Sequence, residues 1–388
     1  MKVNSLLKDI TGASRVTKRR RKAFDEASTK VEYSDPIGNT AKDLHPGRIK
    51  AALVDIKEIY PNVKQFTFKS DKMPYFKAGS YMVLTKQIGN SIASRPYSIS
   101  SSPNKALKDK EIEIIIKSVD DGFFSLYMNE QSKLNDEFEI EVGLGEFTYD
   151  SIRDSKNIVG LVGGSGITPL LSMARFIKEN KLDLNLTIIY GCQNQNEVIL
   201  KEELESLVQD NISLVLVMSD DESYNGEKGF IDRGIIKKYS KEDSTYFVCG
   251  PQAMYNFVYK ELKALQIEDR RIRMEVFGQA KDVSKLPDYP VEHINDIYDL
   301  EINQGIHKFT VKAKASDSIS TTLEKNGIYI HTKCRSGVCG ACRIKVLEGD
   351  FYIDKTKDVR RSADKEFNYV HSCVTYPLSN MRIKLNIQ

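Results

Sequence analysis

Ile158-Val159-Gly160-Leu161-Val162-Gly163-Gly164-Ser165-Gly166-Ile167-Thr168-Pro169 is where the rhythm of the chain changes. The first five residues form an apolar run that reads as a buried strand, and Leu170, Leu171, Ala174 and Ile177 then recur at helical spacing. Pro169 suits the first position of that helix. A strand, a glycine turn and a helix in this order make a cradle for the phosphates of a dinucleotide. The glycines do not follow the G-x-G-x-x-G spacing, and taken alone they read equally well as a tight turn. Beyond them, predicted strands at 187–190, 214–217, 246–248 and 273–277 alternate with helical patterns. This alternation predicts a parallel α/β sheet, whose strand ends hold nucleotides.

Upstream of the change, from residue 47 to about 152, short β-rich runs sit between Gly, Pro and Asn punctuation, among them Val63-Lys64-Gln65-Phe66-Thr67-Phe68 and Glu111-Ile112-Glu113-Ile114-Ile115-Ile116. Many short strands with such turns predict an antiparallel barrel. Residues 1–46 read as an appendage with a basic run from Lys18 to Lys22 and a turn-rich stretch at Ser34-Asp35-Pro36-Ile37-Gly38. Downstream, residues 153–278 hold the α/β pattern, and 279–295, with Pro287 and Pro290, read as a connecting strap. Residues 296–388 start on a predicted hairpin, followed by a helix at 318–325 and a strand at 343–346. The expected architecture is therefore three folded modules behind an N-terminal extension.

The last module contains Cys334-Arg335-Ser336-Gly337-Val338-Cys339-Gly340-Ala341-Cys342, and Cys373 follows after 30 further residues. C-x4-C-x2-C…C is the thiolate spacing of a plant-type 2Fe-2S centre. Glycines in the loop let backbone N–H groups approach bridging sulfides. Zinc sites usually pair two cysteine knuckles, whereas this chain has one knuckle and an isolated fourth cysteine. The reading is a 2Fe-2S cluster on Cys334, Cys339, Cys342 and Cys373. One-electron carriers need a donor, and the upstream modules are the place to seek it.

Composition narrows the function classes. The 57 Lys+Arg nearly balance 54 Asp+Glu, which gives no global support for nucleic-acid binding. No stretch approaches the ~18 consecutive apolar residues of a membrane helix, and the basic N-terminus lacks the apolar core of a signal peptide. A cytoplasmic protein is expected, in a compartment that also keeps thiols reduced.

Arg95-Pro96-Tyr97-Ser98 lies in the barrel region. An Arg there can neutralise a flavin phosphate, a Tyr ring can stack on isoalloxazine, and a hydroxyl can bond near its redox nitrogen. Phe76-Lys77-Ala78-Gly79-Ser80-Tyr81 precedes it and Gly122-Phe123-Phe124-Ser125-Leu126-Tyr127 follows, with Ser125 expected to open a helix toward a pyrophosphate. Cys249-Gly250-Pro251-Gln252-Ala253-Met254 again joins a strand to a helix, and Glu275-Val276-Phe277-Gly278 ends the α/β module.

Together these motifs resemble the ferredoxin-NADP reductase superfamily over roughly residues 47–388. The resemblance implies that Arg95, Pro96, Tyr97, Ser98, Gly122, Phe123, Phe124 and Ser125 bind the flavin, with Ser98 beside its N5. It implies that Gly163, Gly164, Gly166, Thr168, Cys249, Gly250, Pro251 and Met254 bind the nicotinamide dinucleotide, with Cys249 beside the reacting carbon. Glu275 and Phe277 are expected to border the flavin, and Ser98, Cys249 and Glu275 are the candidate catalytic residues. Relatives with FMN share R-x-Y-S but lack a helix for a second phosphate, so Ser125 favours FAD. Where NADP-dependent relatives carry an Arg after the serine of Val217-Met218-Ser219, this chain has Asp220, which accepts from a ribose 2′-hydroxyl and favours NADH. Lys228 leaves a phosphate contact open to NADPH. Cys192, where relatives often carry Arg, reads as a structural thiol.

The expected function is an NADH-oxidising flavin iron-sulfur reductase that passes electrons from NADH through FAD to the 2Fe-2S cluster and then to a protein acceptor, an oxygenase or hybrid-cluster protein. Lys333, Arg335 and Arg343 near the cysteines read either as a face for an acidic acceptor or as ordinary solvated charge. Two alternatives stay open: an electron-transfer subunit of a larger complex, and a redox-sensing protein without turnover.

Overall fold

The computed structural model describes residues 3–26, 37–38, 40–41, 47–119, 122–280 and 282–385. Residues 34–36 of the expected N-terminal turn fall outside these. The chain forms two compact units, residues 1–44 and 45–388. In the first, α1 runs over Val3–Glu26 and leaves the basic run from Lys18 to Lys22 exposed. Lys22 pairs with Glu26 at 3.6 Å, one turn on.

The second unit begins with an antiparallel sheet of six strands, β1 (Arg48–Tyr60), β2 (Val63–Lys69), β3 (Tyr81–Ile88), β4 (Ser91–Ser98), β5 (Glu111–Lys117) and β6 (Glu137–Leu144). They are ordered β4-β3-β6-β1-β2-β5. A bridge between Ile99 and Ile114 and a 2.8 Å bond from the Ser100 N–H to the Glu113 carbonyl join the end of β4 to β5, so the sheet closes on itself. Phe66, Phe68, Phe138 and Ile114 fill the barrel, with Phe68 and Phe138 edge to face at 5.3 Å. Each such ring removed from water contributes about 2–3 kcal/mol. A short helix, α2 (Pro103–Asp109), follows β4, and α3 (Phe123–Leu126) follows β5.

The second sheet is wholly parallel: β7 (Asn157–Gly163), β8 (Asn185–Cys192), β9 (Ile212–Met218), β10 (Glu227–Lys228), β11 (Thr245–Cys249) and β12 (Ile272–Met274). Its order is β10-β9-β8-β7-β11-β12. The chain first builds outward from β7 through β8, then returns to its other side at β11. That reversal opens a crevice at the carboxyl ends of β7 and β11, the place where open α/β sheets bind ligands. Helices α4 (Thr168–Asn180), α5 (Lys201–Leu207), α6 (Arg233–Tyr239) and α7 (Gln252–Ala264) cover the sheet. The strand expected at 273–277 ends at Met274, so Glu275, Val276 and Phe277 leave the sheet. On α7, Tyr255, Val258 and Leu262 are buried, while Phe257 turns outward against Phe230 at 6.0 Å.

The C-terminal sheet holds β13 (Ile297–Gln304), β14 (His307–Lys314), β15 (Arg343–Glu348), β17 (Tyr369–His371) and β19 (Met381–Leu385), ordered β14-β13-β19-β15-β17. β13 and β19 run parallel and the other pairs antiparallel. A second ladder pairs β16 (Phe351–Ile353) with β18 (Thr375–Pro377). Helix α8 (Ile319–Lys325) is capped by Ser318, whose oxygen accepts from the Thr321 N–H, and α9 is Ser362–Glu366. The strap is better anchored than its composition suggests. Val283 and Tyr289 are buried against Tyr352 and Tyr376 of the C-terminal module.

Barrel and parallel sheet are tied by a polar contact between β5 and α4. Arg175 reaches Glu113 at 2.8 Å and the Ser100 carbonyl at 2.9 Å, and Lys105 takes the other Glu113 oxygen at 2.5 Å. Burial pushes the Glu113 carboxyl up, but the Arg175 and Lys105 charges outweigh it and hold the group below the usual carboxylate value.

Candidate functional site

A cavity of about 740 Å³ opens on the barrel, within the usual size for small-molecule and cofactor sites. Arg95 and Tyr97 reach it from β4, and Phe124 and Ser125 from α3. The Tyr97 and Phe124 rings lie 6.3 Å apart, and the Arg95 guanidinium sits 5.9 Å from the Phe124 ring. Burial pushes the Tyr97 phenol far above its ordinary value, so it stays a neutral donor. Pro96, Gly122, Phe123 and Phe277 also line the cavity, and Ser98 lies at the end of β4 opposite Tyr81. Aromatic rings beside two guanidinium groups, Arg95 and Arg335, with the Glu324 carboxylate between them, suit a flat aromatic ring system carrying a phosphate. The helix opens at Phe123 behind Gly122, and Ser125 lies inside it, its hydroxyl donating to the Gly122 carbonyl at 3.1 Å and accepting from the Val119 N–H at 3.4 Å. Gly122 takes the capping position, and the helical path continues as a π turn over Tyr127–Gln131, so Ser125 is its third residue.

In the crevice the two loops interlock. A Cβ on Gly166 would lie 2.1 Å from the Cys249 carbonyl oxygen, and one on Gly163 would lie 2.7 Å from the Met254 sulfur. Gly164 takes φ +53 beside open space, a conformation that favours glycine and leaves room for a ligand backbone or phosphate. The Thr168 hydroxyl donates to the Ser165 carbonyl at 2.7 Å and the Tyr190 hydroxyl to Gly164 at 2.9 Å, which stiffens the turn. Pro251 precedes α7, and the Gly250 N–H donates to the Tyr255 hydroxyl at 3.3 Å. Asp220 lies exposed past the end of β9, its N–H bonded to Gln193 at 2.8 Å beside β8. Lys228 is turned toward the Glu222 carbonyl at 2.6 Å. Burial and the Glu197 charge push the Cys192 thiol up to about 12, in keeping with a structural thiol.

The three modules meet at Glu275. Glu275 is 8% exposed, with one carboxyl oxygen lacking any hydrogen-bond partner, and burial and the negative charge of the Cys334 thiolate push its carboxyl up to about 8. Burial and Glu275 push Cys249 up to about 12. The Tyr255 hydroxyl donates to the Glu275 carbonyl oxygen, and the Gly278 N–H donates to the Cys334 carbonyl at 3.1 Å. Tyr81 and Phe277 meet edge to face at 4.9 Å, and Tyr81 also feels Cys339 and Cys334. Cys249, Glu275, Phe277 and Cys334, spread over 86 residues, therefore share one junction.

The four cysteines form two pairs. Cys342 and Cys373 sulfurs lie 3.2 Å apart, and Cys334 is hydrogen-bonded to Cys339. Among the described residues no group of three or more such side chains gathers at one position suited to a single metal ion. Two pairs suit two irons, each taking one pair. The Cys339 thiol, with the N–H groups of Ser336 and Cys339 each 3.4 Å from the Cys334 sulfur, brings Cys334 down to about 5 despite burial. Such N–H groups are what a cluster thiolate accepts from.

Three family models match along the chain: an oxidoreductase FAD-binding domain over residues 50–149, an oxidoreductase NAD-binding domain over 161–260, and a 2Fe-2S iron-sulfur cluster binding domain over 302–378. The chain belongs to the ferredoxin-NADP reductase superfamily, as a flavin/2Fe-2S reductase. A glycine betaine monooxygenase reductase subunit of Chromohalobacter salexigens is 23% identical to it over 91% of this chain and 99% of that protein. The NADH oxidoreductase HCR of Escherichia coli is 26% identical over 80% of this chain and 89% of its own length. Phthalate dioxygenase reductase, described as a modular structure for electron transfer from pyridine nucleotides to [2Fe-2S], superposes with a TM-score of 0.64 at 20% identity, covering 88% of this chain and 98% of its own. The reductase is thus an oxidoreductase that uses FAD, NAD and a 2Fe-2S cluster.

Several site features of the reductase were missed from sequence. Glu324 and Thr321 of α8, and Gln279 of the strap, line the same barrel cavity as Arg95 and Tyr97. Arg335, read as a possible acceptor contact, is 5% exposed and held by Glu324 at 3.1 Å, so it offers nothing to a partner. Lys333 is spent on Glu141 at 2.6 Å, and Arg343 pairs with Asp364 and stacks 3.7 Å from the Tyr369 ring. No local signal marked Arg335 as buried, because its carboxylate partner Glu324 lies on α8, outside the cysteine loop. No described helix is long and apolar enough to cross a membrane.

Proposed function

We propose that this reductase takes electrons from NADH through FAD to the 2Fe-2S cluster and hands them to a cytoplasmic protein acceptor of the oxygenase or hybrid-cluster class. The single observation that carries this is the junction in which Cys249, Glu275, Phe277 and Cys334 come together. Bound flavin supplies hydride acceptance and one-electron donation, and the cluster supplies one-electron carriage.

The chain's own part is placement. Arg95 holds the flavin phosphate, Tyr97 and Phe124 flank the ring system, and Ser98 offers a hydroxyl near its N5. Gly122, Phe123 and Ser125 complete the flavin cavity. Gly163, Gly164, Gly166 and Thr168 form the dinucleotide turn, and Gly250, Pro251 and Met254 set its floor. Cys249, a neutral thiol at physiological pH, packs beside the reacting nicotinamide carbon and shapes the contact without acting as a nucleophile. Glu275 and Phe277 border the flavin and keep water from it. Asp220 accepts from the ribose 2′-hydroxyl and repels a 2′-phosphate, which selects NADH. Cys334, Cys339, Cys342 and Cys373 hold the cluster.

Steady-state reduction of a one-electron dye tests this reading. Sustained turnover with NADH is expected, and a protein that binds NADH yet never turns over would sink it in favour of the sensing role.

A further inference from the structure

The C-terminal module touches the flavin arginine through one buried carboxylate. Glu324 of α8 is 6% exposed. One of its oxygens accepts from Arg95 at 2.6 Å and from the Ser94 N–H at 3.0 Å, both on β4. The other accepts from Arg335 at 3.1 Å. Arg335 directly follows the cluster ligand Cys334, is itself buried, and has Cys373 and Cys342 among its electrostatic neighbours. Its guanidinium also donates to the Gln279 side-chain oxygen at 3.3 Å, and the Gln279 amide nitrogen donates to Ser318 at 2.7 Å and Ser320 at 2.9 Å. One carboxylate therefore stands between two guanidinium groups, one facing the flavin cavity and one beside the cluster cysteines.

We propose that Glu324 is a positioning residue that fixes the distance between flavin and cluster by clamping Arg95 of the barrel to Arg335 of the cysteine loop. This rests on Arg95 being the flavin phosphate ligand. Two positive groups buried at one interface repel unless a charge of opposite sign lies between them, and removing that charge strands both. Two guanidinium groups against one carboxylate also leave an excess of one positive charge, which suits an additional anion such as the flavin phosphate at Arg95. Neutralising Glu324 then has effects of opposite sign. It removes a negative charge next to the phosphate ligand, so flavin binding holds or tightens. It also loosens the cysteine loop against the barrel, so one-electron passage from flavin to cluster slows.

The experiment uses the reconstituted holoenzyme and its Glu324→Gln and Glu324→Asp variants. Flavin affinity is measured by dialysis, flavin bleaching by NADH in stopped flow, and cluster reduction by its visible and paramagnetic signals. For Glu324→Gln, cluster reduction should fall at least about tenfold, as expected of a displaced reacting pair. The ratio of the cluster-reduction rate to the flavin-bleaching rate should fall by that same factor, and flavin affinity should be equal or higher. Glu324→Asp, which keeps the charge, should recover part of the loss, and it carries the same test if the Gln variant does not fold. Wild-type cluster reduction in Glu324→Gln would overturn the proposal. So would parallel loss of flavin affinity, bleaching and cluster reduction, the pattern of a merely structural residue. Arg95→Ala separates the two layers: flavin retained by that variant refutes the phosphate assignment itself.

Discussion

At the residue scale, the roles divide by charge and burial. Arg95 is the only guanidinium of β4 and lies on the cavity wall, so Arg95→Ala removes a charge-assisted phosphate contact of about 1.5–3 kcal/mol. Flavin binding should weaken roughly 10- to 150-fold. The flavin content of the purified variant, read from its visible spectrum, checks this; full occupancy would contradict it. Cys249 is held as a neutral thiol by burial, so Cys249→Ser should lower the rate of NADH-driven flavin bleaching about tenfold by altering the fit at the nicotinamide, with flavin content unchanged. The same burial predicts that iodoacetamide leaves Cys249 unmodified at pH 8, which peptide mass analysis would show. At Asp220 the expected outcome is a shift in preference: Asp220→Ala should raise kcat/KM for NADPH relative to NADH. A ratio unmoved by that change would remove Asp220 from cofactor choice.

At the scale of elements, the contact between β5 and α4 holds the flavin barrel against the nucleotide sheet. Arg175→Ala leaves the Glu113 carboxylate buried with one partner fewer and should cost about 3–5 kcal/mol. A drop in the thermal unfolding midpoint measures it. Because Glu113 is held below its unfolded value of 4.5, its contribution is fully present above that pH and is lost as pH falls through the folded value. Wild-type protein should thus lose stability on acidification below about pH 4.5 in a way that Arg175→Ala does not share. These elements also show how far the sequence could be read. Strands and the glycine and cysteine turns have local signatures, period two, helical spacing or fixed ligand intervals, and β7, β11, α8 and the cysteine loop lie where those signatures put them. The sheet ends at Met274, where the ladder to β11 stops, although Arg273, Met274, Glu275, Val276 and Phe277 keep a strand-like alternation. Ser125 was placed at a helix start that in fact lies two residues earlier. Arg175 with Glu113, and Glu324 with Arg95, join residues 62 and 229 positions apart and leave no local trace.

Over the whole molecule, three modules put their working ends together. The barrel offers Arg95 and Tyr97, the parallel sheet offers Cys249 at its topological switch and Glu275 just past its edge strand, and the C-terminal module brings Cys334 to the same junction. The order of the chain, from barrel to nucleotide sheet to cluster, becomes a physical adjacency at Glu275, which no single motif announced. If that adjacency is functional, NADH added to the anaerobic protein should reduce both centres within one molecule. The most direct test is such a titration, followed by flavin absorbance and by the paramagnetic signal of the reduced cluster. The account predicts that the flavin bleaches and the cluster signal appears without any added mediator; a bleached flavin beside a cluster that stays oxidised would contradict it.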